Sequence, residues 1–333
     1  MLVAVIGYGS IGKRHAQNIK ALGHEVVVYD PILGIDEWQY LDFSPRVIAA
    51  PADGHQWWLE QAQFGSHAPA FVEKPVLLNM EEAERFMRVK RREDATWASI
   101  GKPPLWAEGS PTAEPPLIQV GYQLRFDRSL LAFRKSLPRN IASVRVWFSQ
   151  RLSEWRPDRD YRTTPSAQKA LGGGILREAS HELDLIRFLF GEWVWVSADV
   201  RRASDLDIDV EDTVSALVGM EDFTITLNLD MTASGYRRGV EVVTREGQTA
   251  SWGPDWSSER SRNQMYEQEM AAFLKSVETG VLHPNAATLE DGIEALRLVE
   301  ACETSSKERR VVYNSRAAEV EGESMGRGAW WQA

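Results

Sequence analysis

Three clusters in this chain have the residue types and spacing to do chemistry. The first is Gly7-Tyr8-Gly9-Ser10-Ile11-Gly12, a G-x-G-x-x-G pattern. In such a pattern Gly7 permits a tight turn, Gly9 lets the backbone approach a pyrophosphate, and Gly12 allows close helix–strand packing. Ser10 and Ile11 open the next helix, whose free N–H groups and positive dipole end favour phosphate. Asp30, at the end of the following strand, can accept hydrogen bonds from a ribose 2′-hydroxyl. Its carboxylate would repel a 2′-phosphate, which favours NAD over NADP. The second cluster is Glu73-Lys74-Pro75. A lysine at the carboxyl end of a parallel strand can donate to a substrate hydroxyl or carbonyl and lower its pKa, and a cis peptide at Pro75 would aim it. The third is GGGILREASHELD at 172–184. Its glycines would let backbone pass close to a ligand, and Glu178, His181 and Asp184, spaced i, i+3, i+6, are expected along one side of a helix. His181 titrates near neutrality and suits proton transfer to or from an alcohol; a neighbouring carboxylate can orient it. Cys302 is the single cysteine and no H-E-x-x-H occurs, so no metal site is expected.

These residues need elements to position them. Apolar residues 2–6 read as a buried strand running into the glycine turn, 13–22 as a helix stopped by Gly23, and 25–29 as a second strand. Strands at 46–50 and 70–72, helices at 55–64 and 79–91, and a strand at 117–121 continue the alternation, which implies a doubly wound parallel sheet of Rossmann type over 1–121. The short interval between Asp30 and the next strand suggests a truncated strand–helix unit. Residues 93–116, rich in Pro, Gly, Ala and Trp, read as an inserted loop. From 141 the pattern changes. Alternating stretches at 141–150, 193–200, 213–218, 223–230, 240–244 and 249–252, broken by a helix at 175–190 and followed by helices at 264–278 and 289–305, predict an α+β domain over 122–314 with a large, mostly antiparallel open sheet. Residues 315–333 read as a loose tail. The fold class is therefore α/β with a second, α+β domain.

With 333 residues, 43% hydrophobic and 26% charged, two globular domains are expected. The formal net charge of -10 argues against nucleic-acid binding. No apolar run is long enough for a membrane span, and no basic leader precedes the first strand, so a cytoplasmic location is expected. The 13 tryptophans are read mainly as packing residues.

In combination, the motifs resemble the Gfo/Idh/MocA oxidoreductases, the family of glucose–fructose oxidoreductase and inositol dehydrogenase. The resemblance rests on GYGSIGKRH at 7–15, AAP at 49–51 followed by His55, EKP at 73–75, GYQLRF at 121–126 and the 172–184 motif, and it runs over residues 1–314. It implies a nicotinamide cofactor on the first domain, with Tyr8, Ala50, Pro51, His55, Glu73 and Gln123 joining the glycine turn, Asp30 and Lys74 in the cofactor-binding set. It implies further that Lys74 contacts substrate and nicotinamide ribose, that His181 is the acid/base, and that Tyr122, Gln123 and Arg125 lie near the nicotinamide side of the cleft. The open sheet would form a homodimer or homotetramer. Many members carry Asp four residues before the histidine, whereas here Glu178 stands three before and Ser180 directly precedes it. With WRPDRDYR at 155–162, this variant resembles a subgroup found with bacterial surface-polysaccharide and sialic-acid-like sugar pathways. Either Glu178 or Asp184 could orient His181. Arg156, Tyr161 and Arg162 could grip an anionic sugar, because guanidinium forks match carboxylate and phosphate.

The expected activity is NAD-dependent hydride transfer at a hydroxyl or keto carbon of a sugar or sugar-derived substrate, with nucleotide- and carboxylate-bearing sugars among the candidates. Two alternatives stand beside it: reduction of an imine or enone on a similar fold, and a nonenzymatic NAD-binding sensor.

Overall fold

The computed structural model describes residues 1–36, 44–100, 117–254, 256 and 258–315. In chain order the first region comprises β1 (Leu2–Ile6), α1 (Ser10–Ala21), β2 (Glu25–Asp30), β3 (Ile35–Asp36), β4 (Arg46–Ile48), α2 (His55–Glu60), β5 (Ala70–Glu73), α3 (Met80–Ile100) and β6 (Ile118–Gly121). The second comprises α4 (Arg128–Lys135), β7 (Ile141–Ser149), α5 (Leu152–Trp155), α6 (Ile175–Glu178), α7 (Ser180–Phe190), β8 (Trp195–Arg201), β9 (Thr213–Gly219), β10 (Thr224–Asp230), β11 (Arg237–Thr244), β12 (Thr249–Trp252), α8 (Glu259–Thr279), β13 (Ala287–Thr288), α9 (Leu289–Glu308) and β14 (Val312–Tyr313).

Alternation of side chains along the first strands explains the first sheet. Val3, Val5, Val47 and Phe71 point to one face and pack on Ala16 and Ile19 of α1 and Phe273 of α8. Ala4, Ile6, Ile48 and Val72 point to the other and join Leu59, Phe86 and Ile293. A strand buried on both faces has no polar side to present, which is why these runs are continuously apolar. The order is β13-β6-β5-β4-β1-β2-β3. The inner five strands are parallel, while the two-residue edge strands β3 and β13 run antiparallel. The chain leaves β1 to one side for β2 and crosses to the other for β4, so a crevice opens at the carboxyl ends of β1 and β4, where ligands of such sheets bind. Gly7 and Ala49–Ala50 flank it.

The second sheet has the order β12-β11-β7-β10-β9-β8-β14. Only the β7–β10 pair is parallel; the other pairs are antiparallel. Val146, Leu227, Ala216 and Val240 face inward with Leu183 and Leu298 of the covering helices. The outward face carries the Arg145–Glu241 and Asn228–Ser215 cross-strand pairs and Leu217, which is exposed.

Several local expectations need correction. Helix α3 continues to Ile100, so the first part of the expected 93–116 loop is helical; residues 101–116 lie outside the described residues, as does the tail from 316. After β2 the chain turns through a capped 3-10 turn into the antiparallel β3, and no helix occurs there among the described residues. The single helix expected at 175–190 is broken at Ala179 into α6 and α7. Of the three glycines before it, Gly173 and Gly174 lie hard against other segments of the chain. A side chain at Gly173 would strike Pro165 and Ser166, and one at Gly174, whose φ is 111°, would strike the Glu211 carboxylate. They serve chain-against-chain packing.

Candidate active site

The carboxyl end of β5 delivers Glu73 and Lys74 to the crevice, and the Lys74–Pro75 peptide is cis. Lys74 Nζ donates to Glu178 Oε2 at 3.1 Å and to the Glu178 carbonyl at 3.2 Å. Ser166 Oγ donates to the other carboxylate oxygen at 2.6 Å. Burial works against a charge on Glu178, but Lys74 and Ser166 outweigh it, and the carboxyl sits below its usual range. Glu178 is thus the counter-ion of Lys74. The extra methylene of Glu over Asp and the break at Ala179 let a residue three before the histidine reach the lysine.

His181, at the start of α7, is 7% exposed. Tyr122 stands edge-on to its ring at 5.6 Å, and Gln123 Nε2 donates to its Nε2 at 3.4 Å while also meeting the Tyr266 hydroxyl at 3.1 Å. That contact leaves the ring proton on Nδ1, a buried atom without a hydrogen-bond partner among the described residues. Burial, reinforced by the charges of Lys74 and Arg238, holds His181 well below the usual histidine pKa. The ring is therefore neutral at pH 7, with Nε2 as its basic atom.

Neither carboxylate expected to orient His181 does so. Asp184 turns away and is clasped by Arg125, whose Nη2 and Nε donate to it at 2.6 and 2.9 Å; Arg125 also donates to Asp291 at 3.1 Å. Arg125 is 4% exposed. This placement does not support the expected position of Arg125 at the nicotinamide side of the cleft, because its guanidinium is occupied by two buried carboxylates. The break at Ala179 puts Glu178 on α6 and Asp184 on α7, so the i, i+6 spacing does not hold them on one helix face.

Lys74, Glu178 and His181 line one cleft of about 620 Å³ with Ser10, Ile11, Ala50, Glu73, Gln123 and Arg156. Arg238, Tyr236, Trp256, Arg262 and Tyr266 line the same cleft. Arg238 pairs with the fully buried Glu182 at 2.5 Å and lies 4.7 Å above the Phe148 ring. Tyr161 and Arg162 stand outside this lining; the Tyr161 hydroxyl accepts from the Asp207 N–H, and Arg162 is exposed and forked onto Asp160. Their expected grip on substrate is not supported by this placement. Tyr122 lies behind His181 at 1% exposure, so it packs the imidazole and does not face the cleft.

The phosphate end of the crevice fits a dinucleotide. A Cβ at Gly12 would collide with the Gly7 carbonyl, and one at Gly7 would come within 2.7 Å of Ala49, whereas at Gly9 nothing lies within 4 Å. The turn is closed where the protein packs and open where a pyrophosphate would lie. Asp30 accepts from Tyr8 N–H at 2.7 Å and Leu33 N–H at 3.1 Å. Each oxygen keeps a lone pair for a ribose hydroxyl. Tyr8 contributes this backbone bond, and Lys13 Nζ lies 5.6 Å from its ring centre. His55 is 1% exposed and spans the Pro75 and Ala50 carbonyls at 2.8 and 2.9 Å. Burial lowers its pKa, so a neutral ring donates to one of them. It ties two strand ends together and is sealed from the cofactor crevice. Pro51 opens a 3-10 turn just outside the cleft lining. Glu73 accepts from, or donates to, His15 Nε2 at 2.7 Å. Ser166, Glu182, Arg238, Trp256, Arg262 and Tyr266 escaped the sequence reading; only Glu182, adjacent to His181, and the i, i+4 spacing of Arg262 and Tyr266 on α8 gave a local signal.

Residues 140–250 match the family model of the GFO/IDH/MocA C-terminal domain. No curated protein sequence matches the chain. Among solved structures it is similar to GenD2 from gentamicin A biosynthesis in complex with NAD (20% identity, 95% of this chain and 96% of that one, TM-score 0.73). It is also similar to myo-inositol 2-dehydrogenase from Lactobacillus plantarum (20%, 94% and 99%, TM-score 0.71). A third is scyllo-inositol dehydrogenase from Lactobacillus casei with bound NAD(H) and scyllo-inositol (18%, 94% and 98%, TM-score 0.69). The two-sheet fold is thus the one these dehydrogenases share, and the second sheet carries the GFO/IDH/MocA C-terminal domain signature.

Proposed function

We propose that this chain is an NAD-dependent oxidoreductase acting on a CH–OH group, or its keto counterpart, of a sugar-like substrate. The observation that carries the reading is the convergence of Lys74 from the first sheet and a neutral His181 from α7 on one cleft beside the glycine turn. The NAD and inositol bound by the similar structures agree with it. A nicotinamide dinucleotide held by the glycine turn and Asp30 would supply the hydride acceptor or donor. His181 Nε2 receives the hydroxyl proton in oxidation and gives it back in reduction. Lys74 donates to the same oxygen as charge develops on it. Glu178 and Ser166 hold the ammonium in place, and Gln123 with Tyr122 fixes the imidazole. Asp30 selects NAD over NADP by accepting from a free ribose hydroxyl. The outward face of the second sheet is the surface we assign to a homodimer or homotetramer contact, and a cytoplasmic setting suits a chain whose described helices include none long and apolar enough to cross a membrane.

The test is direct. NADH binding is measured by fluorescence, and formation of reduced nicotinamide is followed with inositols, hexoses and hexuronates. Binding with turnover of at least one polyol, lost in Lys74→Ala, is the expected result. NADH binding with every candidate inert would favour the nonenzymatic sensor, and absence of NADH binding would overturn the reading altogether.

A further inference from the structure

The chain as a whole is strongly acidic, with a net charge of -10, yet its cleft is cationic. Five lining side chains are positive (Arg14, Lys74, Arg156, Arg238 and Arg262) and three are carboxylates (Glu73, Glu154 and Glu178). The positive groups are not equally available. Lys74 is held by Glu178, Arg238 by Glu182, and Arg14 by Glu259 and Asn263. The side chain of Arg156, exposed at the exit of α5, makes no hydrogen bond or ion pair among the described residues, although its charge reaches Glu178. Arg262, exposed on the first turns of α8, has only a stretched 4.0 Å contact with Glu259. Two guanidinium groups therefore stand unspent at the cleft rim.

Between them lies an aromatic wall. Tyr236 and Trp256 meet at 5.4 Å with ring planes tilted by 41°, and the Arg262 guanidinium lies 5.8 Å from the Trp256 ring centre. Flat rings suit the apolar C–H face of a pyranose, and a planar fork suits a carboxylate or phosphate. A cleft with low-dielectric walls concentrates this positive field.

Resting on the oxidoreductase reading above, we infer that Arg156, Arg262 and the Tyr236–Trp256 wall form an anion-recognising subsite, and that the substrate is a sugar carrying a carboxylate or phosphate. This differs from the grip expected from sequence, since Tyr161 and Arg162 stand outside the cleft and Arg262 takes their place.

Titration calorimetry tests it with three probes of one ring size: D-glucose, D-glucuronate and D-glucose 6-phosphate, each titrated with and without saturating NADH. At least one charged probe is expected to bind tighter than glucose by about tenfold or more, and whichever charged probe wins identifies the anionic group. Arg156→Ala combined with Arg262→Ala should bring the charged probes to the level of glucose and leave NADH affinity unchanged, while Arg162→Ala should keep the preference. Equal affinity for all three probes, including no measurable binding of any, overturns the inference. So does a preference that survives the double variant. The NADH titration alone reports on the oxidoreductase reading: NADH binding without charge preference defeats only the anion subsite, and failure to bind NADH defeats the parent reading.

Discussion

Two charged clusters flank the α6–α7 corner, and they differ in what their charges face. Below it, Arg125, Asp184 and Asp291 saturate one another at 10% side-chain exposure or less, and Arg187 closes the far side of Asp291. Above it, Lys74 and Glu178 are paired but open to the cleft at 16% and 23%, beside an imidazole whose Nε2 has one long contact. The lower cluster spends all its directed hydrogen bonds on other protein groups. The upper cluster keeps donors and a basic nitrogen in reserve. Ion pairs of similar composition can thus be scaffold or machinery, and completeness of partnering separates them.

The largest effect expected is on the lower cluster. Asp184→Ala removes three of the hydrogen bonds of a buried guanidinium, leaving it Asp291, and should cost about 3 kcal/mol, read as a lowered urea midpoint. Arg125→Met with Asp184→Leu should recover most of that loss. A midpoint unmoved by Asp184→Ala would break the contrast. Next comes Lys74→Ala, which should lower kcat/KM by roughly 10²–10³ while the urea midpoint stays nearly fixed, because the pair is partly solvated.

His181→Asn should lower kcat by roughly 10². In the parent protein the oxidation rate should hold as pH falls through the ordinary histidine value of about 6.5 and drop only at more acidic pH, because the folded state disfavours the imidazolium. By the same sign the unfolded chain takes up that proton first, so stability is lost as pH falls below the ordinary value, and His181→Asn flattens that limb. A rate that already halves near neutrality would show a charged His181 and sink the base assignment. Smaller still, Asp30→Ala should weaken NADH binding about tenfold and narrow the preference over NADPH, as loss of one hydrogen bond to a charged acceptor requires. The smallest is Arg162→Ala, exposed and outside the cleft, which should change neither kcat/KM nor the unfolding midpoint measurably.

Local pattern was enough for much of this molecule. The glycine turn with its flanking strand and helix, the Lys74 position at a strand end, and the change from parallel to mostly antiparallel pairing at residue 141 all follow from near-neighbour chemistry. The turn needs glycines at fixed offsets, and each strand or helix advertises its burial by its own period. The helix break at Ala179 was not legible, because residues 175–190 keep helical spacing across it.

What only the tertiary structure decided is who partners whom. Arg125 and Arg156 are the same residue type, yet one is locked between Asp184 and Asp291 and the other lines the cleft rim with no side-chain partner among the described residues. A sequence fixes which charges exist, but the sign and strength of their influence depend on distances across the fold and on burial. Those are set by contacts between segments more than 50 residues apart, such as the 104-residue separation of Lys74 from Glu178.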